Sequence, residues 1–133
     1  MGFFEKNYTE VDRQLMEDGA EIDFGDGFVV TVRHNSSEKV NAARGVITQR
    51  LKVMNRNKDL TPEQQRIITS YVAANAGIVG WKGGDAPTFS PEFAEDVFKK
   101  RPEFLEDVVT AMTTYEAFRK EEIDDAVGNL PQS

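Results

Sequence analysis

The stretch that decides the fold runs from residue 20 to residue 33 and reads AEIDFGDGFVVTVR. Ile22 and Phe24 alternate with acidic residues before Gly25-Asp26-Gly27, and a run rich in β-branched residues follows it. Two such runs around a Gly-Asp-Gly turn are typical of a β-hairpin, since glycine readily supplies the positive φ angles of the turn. The sequence therefore predicts a hairpin over residues 20–34.

Helical patterns flank this hairpin on both sides. Before it, Phe4, Tyr8, Val11 and Leu15 follow the spacing of one helical stripe, and Gly19 is typical of the residue after a helix end. After it, the start signals of four helices follow in order: Ser36 or Ser37, Thr61-Pro62, Ser90-Pro91, and Pro102. We therefore expect a mainly α protein, with a small β-hairpin near the N-terminus followed by a bundle of about four helices.

The length of 133 residues fits one domain. We expect a single domain over residues 1–133, made of four parts. These are an N-terminal helix (1–19), the hairpin (20–34), a helical body (36–127) and a flexible tail (128–133). No internal repeat or low-complexity tract in the sequence suggests a further boundary.

The charge of the chain argues against two classes of partner. Its formal net charge is −7, and an acidic surface repels both nucleic-acid backbones and anionic membranes. The basic residues between Arg50 and Lys58 are interpreted as a solvated helix end, with RNA or DNA contact as the alternative. No apolar run approaches the ~20 residues of a membrane span. We expect a cytoplasmic protein that binds neither nucleic acid nor a membrane.

The residues that usually carry catalysis are scarce. The chain has no cysteine, so thiolate nucleophiles and cysteine-based zinc sites are excluded. His34 is its one histidine, and neither a serine-hydrolase elbow nor a phosphate-binding loop occurs in the sequence. We therefore expect no enzymatic activity, metal or cofactor.

Glycine and aromatic residues mark the candidate binding surface. Residues 77–90 hold four of the ten glycines and the single tryptophan, Trp81. Trp81 either anchors the core or faces a partner, where tryptophan is enriched, and the same choice applies to the terminal pair Phe3 and Phe4. The candidate partner-binding residues are Phe3, Phe4, Trp81, Phe89 and Phe93.

Three segments in order resemble a known family. The first is the aromatic start leading into the hairpin of residues 20–33, and the second is IVGWKGG at 78–84 followed by PTFSPE at 87–92. The third is YEAFRKEE at 115–122, continuing to AVGN at 126–129. Together they resemble the tail assembly chaperones of long-tailed bacteriophages.

The resemblance implies a non-enzymatic role in tail morphogenesis. Such chaperones bind the tape-measure protein, meet the major tail-tube protein and tend to self-associate. They act in the host cytoplasm and leave before the virion matures. The alternative is a structural virion component, such as a tail or connector subunit.

Overall fold

The computed structural model describes residues 2–120, which form six α-helices and one three-stranded antiparallel sheet. The helices are α1 (Phe3–Asn7), α2 (Arg13–Asp18), α3 (Glu38–Met54), α4 (Pro62–Val72), α5 (Pro91–Lys100) and α6 (Pro102–Thr113). The strands are β1 (Ala20–Asp23), β2 (Val29–Val32) and β3 (Ile78–Lys82). A π-helical turn, Ala73–Gly77, joins α4 to β3, and a 3-10 turn, Glu116–Phe118, follows α6.

The predicted hairpin is confirmed. Strands β1 and β2 pair antiparallel, with Ile22 opposite Val30. The turn between them has positive φ angles at Gly25, Asp26 and Gly27, which explains the glycines on either side of the aspartate. Strand β2 is central in the sheet, because its other edge pairs with β3.

The predicted architecture, a mainly α chain with a hairpin and a bundle of about four helices, is wrong. The glycine-rich stretch of residues 77–90 contains β3, which pairs antiparallel with β2 and completes a mixed α/β fold. Ile78, Val79 and Trp81 favour a strand, and the open edge of β2 supplies its hydrogen-bond partners. Strand β3 also interrupts the predicted helical body of residues 36–127.

The predicted single helix over residues 1–19 is divided in two. Between α1 and α2 the chain is extended, and Val11 forms an isolated antiparallel bridge with Arg119. The backbone N–H of Asp12 donates to the Phe118 carbonyl at 2.7 Å, and that of Lys120 donates to the Glu10 carbonyl at 2.7 Å. Pairing with a distant segment therefore overrides the local helical spacing of this stretch.

The predicted start signals of the later helices are confirmed. Thr61 and Gln64 form a reciprocal capping box, and the Ser37 and Ser90 side chains accept backbone N–H bonds at the starts of α3 and α5. Helix α6 begins at Pro102 and ends at Thr113. The predicted continuation of the helical body through 121–127 and the predicted tail of 128–133 lie outside the described residues.

The core draws on all three strands and on helices α2 to α6, whereas α1 has no buried residue. Its most fully buried side chains are Val30, Val32, Val40, Val108 and Phe118. Arg33 ties the sheet to its surroundings, since its guanidinium donates to the carbonyl oxygens of Glu17 and Ala76 at 2.7 and 2.8 Å. These bonds hold the end of the sheet opposite the one that carries the β1–β2 turn.

Candidate functional site

Three of the five predicted partner-binding residues lie together. Trp81, near the end of β3, has its ring centroid 4.9 Å from that of Phe89 and 6.0 Å from that of Phe93. Phe3 and Phe4 lie apart from them on α1, where their described ring contacts are with each other and with Tyr8. The predicted set therefore divides into two surfaces.

Trp81 belongs to a larger group, here called the aromatic cluster. Its members within residues 2–120 are Phe24, Phe28, Trp81, Phe89, Phe93, Phe98 and Phe104. Phe28 and Phe104 lie 5.6 and 6.0 Å from Trp81, with rings tilted or edge-on. Such arrangements are favourable for aromatic pairs and add to the burial of their apolar area.

The polar atom of the Trp81 indole is satisfied inside the cluster. Its N–H donates to the carbonyl oxygen of Pro87 at 2.7 Å. Trp81 is half-buried and packs against the core, in contact with the rings of Phe28 and Phe104. Its ring therefore supports the neighbouring aromatic side chains while part of it stays exposed.

Two glycines hold the loop after β3 against the hairpin turn. Gly83 and Gly84 have φ angles of +82° and +60°, which side chains rarely adopt. A Cβ atom on Gly83 would collide with the carbonyl oxygen of Gly27, and one on Gly84 would lie 2.8 Å from the Phe28 Cβ atom. The loop can approach Phe28 this closely because both residues are glycine.

An open groove lies beside this cluster, with a volume of about 780 Å³. The half-buried rings of Phe24, Phe28 and Phe104 line it. The charged side chains that line the groove are all exposed: Asp26, Lys100, Arg101, Glu103 and Asp107. An apolar floor with a solvated charged rim suits the docking of apolar side chains from a protein partner. We call this feature the aromatic groove.

The groove continues into a second depression. That depression has a volume of about 440 Å³ and shares Phe24 and Asp107 with the aromatic groove. Ile22, Ala111 and Ala117 add apolar surface to it. The accessible apolar surface is therefore elongated rather than a single-residue pocket.

The second surface is the N-terminal aromatic patch, made of Phe3, Phe4 and Tyr8. These side chains are 64, 71 and 65 % exposed. Their ring centroids lie 5.4 to 6.1 Å apart. Three large exposed aromatics on one short helix form an apolar patch of the kind that marks interaction sites.

Sequence reasoning missed Phe24, Phe28, Phe98 and Phe104 as site residues. Phe24 and Phe28 lie in the predicted hairpin, and Phe98 and Phe104 follow the predicted helix starts at Ser90-Pro91 and Pro102. The sequence does contain a signal at the hairpin, because Phe24 and Phe28 flank a three-residue turn and therefore face each other across it. Their ring centroids lie 6.2 Å apart. No local pattern places α6 beside that turn.

His34 lies away from both surfaces and is buried. Its ring stacks on Tyr115 at 4.6 Å and meets Phe118 edge-on at 5.1 Å, and burial lowers the pKa of the imidazole. Nδ1 accepts the Ser36 backbone N–H at 3.1 Å, while Nε2 has no hydrogen-bond partner among residues 2–120. This environment holds the ring neutral and shields it from a substrate.

Neither a metal-binding group nor a membrane-spanning helix is found in the part of the chain that the structure describes. Among residues 2–120, no three or more histidine or carboxylate side chains are grouped so that they could hold a metal ion. Across the same residues, none of the helices has both the length and the apolar character needed to cross a bilayer.

Comparison with known proteins gives one match. The sequence model of a family described as YdaY prophage protein matches residues 35–129, which is more than two thirds of the chain. The match begins just before α3, so it includes helices α3 to α6 and β3 but not α1, α2 or the hairpin. Neither the curated proteins nor the solved structures contain a match to this sequence.

Proposed function

Because the chain belongs to the YdaY prophage protein family and is therefore phage-derived, we propose that it is a non-enzymatic tail assembly chaperone. In this proposal it binds the tape-measure protein and the major tail-tube protein in the host cytoplasm, self-associates, and is absent from the mature virion. It performs no reaction and needs no cofactor. The family supports the phage origin, and the finer role rests on the site.

The observation that carries the proposal is the aromatic groove. A chaperone for long amphipathic helices has to offer apolar surface while remaining soluble itself. The groove offers three aromatic rings within a charged, exposed rim, on a chain of net charge −7. Helix-in-groove recognition of this kind uses apolar anchors of the bound helix at successive turns.

The elongated shape of the surface fits the same partner. The aromatic groove and its continuation share Phe24 and Asp107, so a helix lying along them would meet apolar surface over more than one turn. The N-terminal aromatic patch supplies additional exposed rings. We assign the groove to the tape-measure protein and the patch to the same complex.

The test compares assembly and finished virions from an inducible prophage that carries the gene. Deletion should leave the tape-measure protein insoluble or degraded and should abolish tails, and complementation with the wild-type gene should restore them. Mass spectrometry of purified virions should then find the tube and tape-measure proteins but not this chain. A stoichiometric amount of it in virions would instead support the alternative, a structural tail or connector subunit.

A further inference from the structure

The outer face of α3 carries apolar side chains that the described residues leave exposed. Val46 and Val53 are 52 and 63 % exposed. They lie seven residues apart, which places them on one side of the helix two turns from each other. On the same side of the helix, Ala42 lies one turn before Val46 and Gln49 lies between the two valines. Both are exposed as well. This outer face is opposite the buried side that Val40, Ile47 and Leu51 form.

Gly45 lies on the exposed side of α3, where a glycine is unexpected. It lies inside a 17-residue helix, where glycine costs about 1 kcal/mol relative to alanine. A Cβ atom built at this position meets nothing within 4 Å, so packing within the described chain does not require glycine here. Among residues 2–120, no other element therefore packs closely against α3 at Gly45. An approach from outside would account for the missing side chain.

The charge of α3 and of the loop after it is opposite to that of the whole chain. Residues 39–58 contain six lysines and arginines and no aspartate or glutamate, although the net charge of the protein is −7. Lys52 and Arg56 flank Val53 in the sequence and are exposed. Exposed basic side chains therefore lie beside the apolar outer face of α3 and just beyond the C-terminal end of the helix.

The matching surface is a groove of about 520 Å³ between α4, α5 and the start of α6, here called the acidic groove. Ile67, Phe98 and Leu105 supply its apolar lining. Four carboxylates line it, from Glu63, Glu92, Glu95 and Asp96, against two cations, Arg66 and Lys99. Glu63 is paired with Arg66 at 3.2 Å and Asp96 with Lys100 at 3.0 Å, so Glu92 and Glu95 are the carboxylates that give the groove its acidic excess.

We propose that the outer face of α3 in one copy of the chain docks into the acidic groove of a second copy. Val46 and Val53 then meet the apolar lining, while Lys52 and Arg56 meet the carboxylates of α5. A nucleic acid or an anionic membrane would satisfy the basic face alone and would be repelled by the rest of the chain. A second copy satisfies both surfaces at once and explains why the same molecule carries both.

The two docking surfaces differ, so each contact pairs the face of one copy with the groove of another. Two such contacts between the same two copies form a two-fold dimer, and otherwise the copies join head to tail. The acidic groove shares Pro102 with the aromatic groove, but the four residues changed in the test below line neither the aromatic groove nor the N-terminal aromatic patch. A loss of self-association through α3 can therefore be distinguished from a loss of binding to the tape-measure protein.

Charge reversal tests the proposal on the full chain by sedimentation equilibrium. The face variant carries Lys52→Glu and Arg56→Glu, and the groove variant carries Glu92→Lys and Glu95→Lys. Each should raise the dissociation constant of self-association by at least about tenfold, because like charges then meet. The combined four-residue variant restores opposite charges across the contact and should self-associate again. Circular dichroism and thermal melts establish that every variant is folded.

Gly45→Leu gives an uncharged test of the same face. Leucine is a good helix former and meets open space in the single chain, so the helix should be at least as stable as before. Self-association should nevertheless fall, because the added side chain would obstruct the approach of the second copy. Gly45→Leu that leaves self-association unchanged would contradict the proposed contact.

Three other results would overturn the proposal. One is a wild-type chain that stays monomeric at the highest soluble concentration. Another is self-association that both charge-reversal variants retain while folded. The third is a folded four-residue variant that fails to regain association. Retention of duplex DNA by the wild-type chain, lost in the face variant, would assign the basic face to nucleic acid instead.

Discussion

The indole N–H of Trp81 and the carbonyl oxygen of Pro87 are joined by a hydrogen bond of 2.7 Å. This bond links the end of β3 to the segment that leads into α5, across a loop with two glycines of positive φ. The loop therefore lies against the rings of Phe28 and Phe89 instead of extending into solvent. Phe28 lines the aromatic groove and packs against Trp81, so the bond supports a residue of the groove wall.

Two substitutions of Trp81 should lower the free energy of unfolding by different amounts. Trp81→Ala removes the ring at the centre of the cluster and should lower the free energy of unfolding by about 2–4 kcal/mol, somewhat less than for a fully buried tryptophan. Trp81→Phe keeps most of the ring and removes the hydrogen bond, so the expected loss is about 1 kcal/mol. Urea unfolding followed by far-UV circular dichroism measures both. Equal stability of the alanine variant and the wild type would show that the ring does not support the wall.

The N-terminal aromatic patch should behave differently, because its side chains are exposed. Phe3→Ser with Phe4→Ser should change the free energy of unfolding by no more than about 0.5 kcal/mol. The same variant should retain less tape-measure protein in a co-purification, since it removes two apolar contacts. Val79→Thr, an exposed apolar residue outside the patch, is the matched control. A variant that unfolds more readily, or that retains the partner fully, would assign the pair to another role.

His34 should make the protein less stable in mild acid. Burial lowers the pKa of its imidazole, so between the folded pKa and the unfolded value of about 6.5 the unfolded chain binds more protons than the folded one. The free energy of unfolding should therefore fall as the pH decreases through about 6.5. Protonation of Nδ1 would also break the bond that it accepts from the Ser36 backbone N–H.

The control for this pH dependence is His34→Gln, which removes the titrating group. Urea unfolding midpoints measured between pH 5.5 and 7.5 should decline with acidity in the wild type and change less in the variant. Identical slopes for the two proteins would show that groups other than His34 set the response.

Gly83 should tolerate alanine poorly, whereas Gly80 should accept it. Gly83→Ala forces a side chain into a positive-φ position and against the Gly27 carbonyl, so a loss of about 1–3 kcal/mol is expected. Gly80 lies within β3, and a Cβ atom there meets nothing within 4 Å. Thermal melts of the two variants compare the positions directly. A neutral Gly83→Ala would mean that the loop can leave the hairpin turn without cost.

Local chemistry was enough to predict much of the fold. The Gly-Asp-Gly turn, the Thr61–Gln64 capping box and the break before Pro102 all involve neighbours in the sequence, and the structure contains each of them. The errors arose where a distant segment determines the conformation. Strand β3 forms because β2 offers an edge, and residues 9–12 are extended because residues 118–120 pair with them.

The candidate site was predicted only in part, because sequence patterns group residues that are close along the chain. Trp81, Phe89 and Phe93 lie close together in the sequence and do form contacts. Phe104 reaches the cluster from α6, and Phe28 from the hairpin, so tertiary packing alone brings them to the groove. No spacing rule along the chain could have grouped the rings of these three segments.

The most direct test of the chaperone proposal is the fraction of tape-measure protein that remains soluble and co-elutes with this chain in size-exclusion chromatography after co-expression. The measurement is made with and without the chain, and with an unrelated acidic protein of similar size as the control. We predict that the tape-measure protein is largely insoluble alone and forms a soluble complex only with this chain. A folded chain that elutes by itself, with the tape-measure protein equally insoluble in all three cases, would contradict the proposed function.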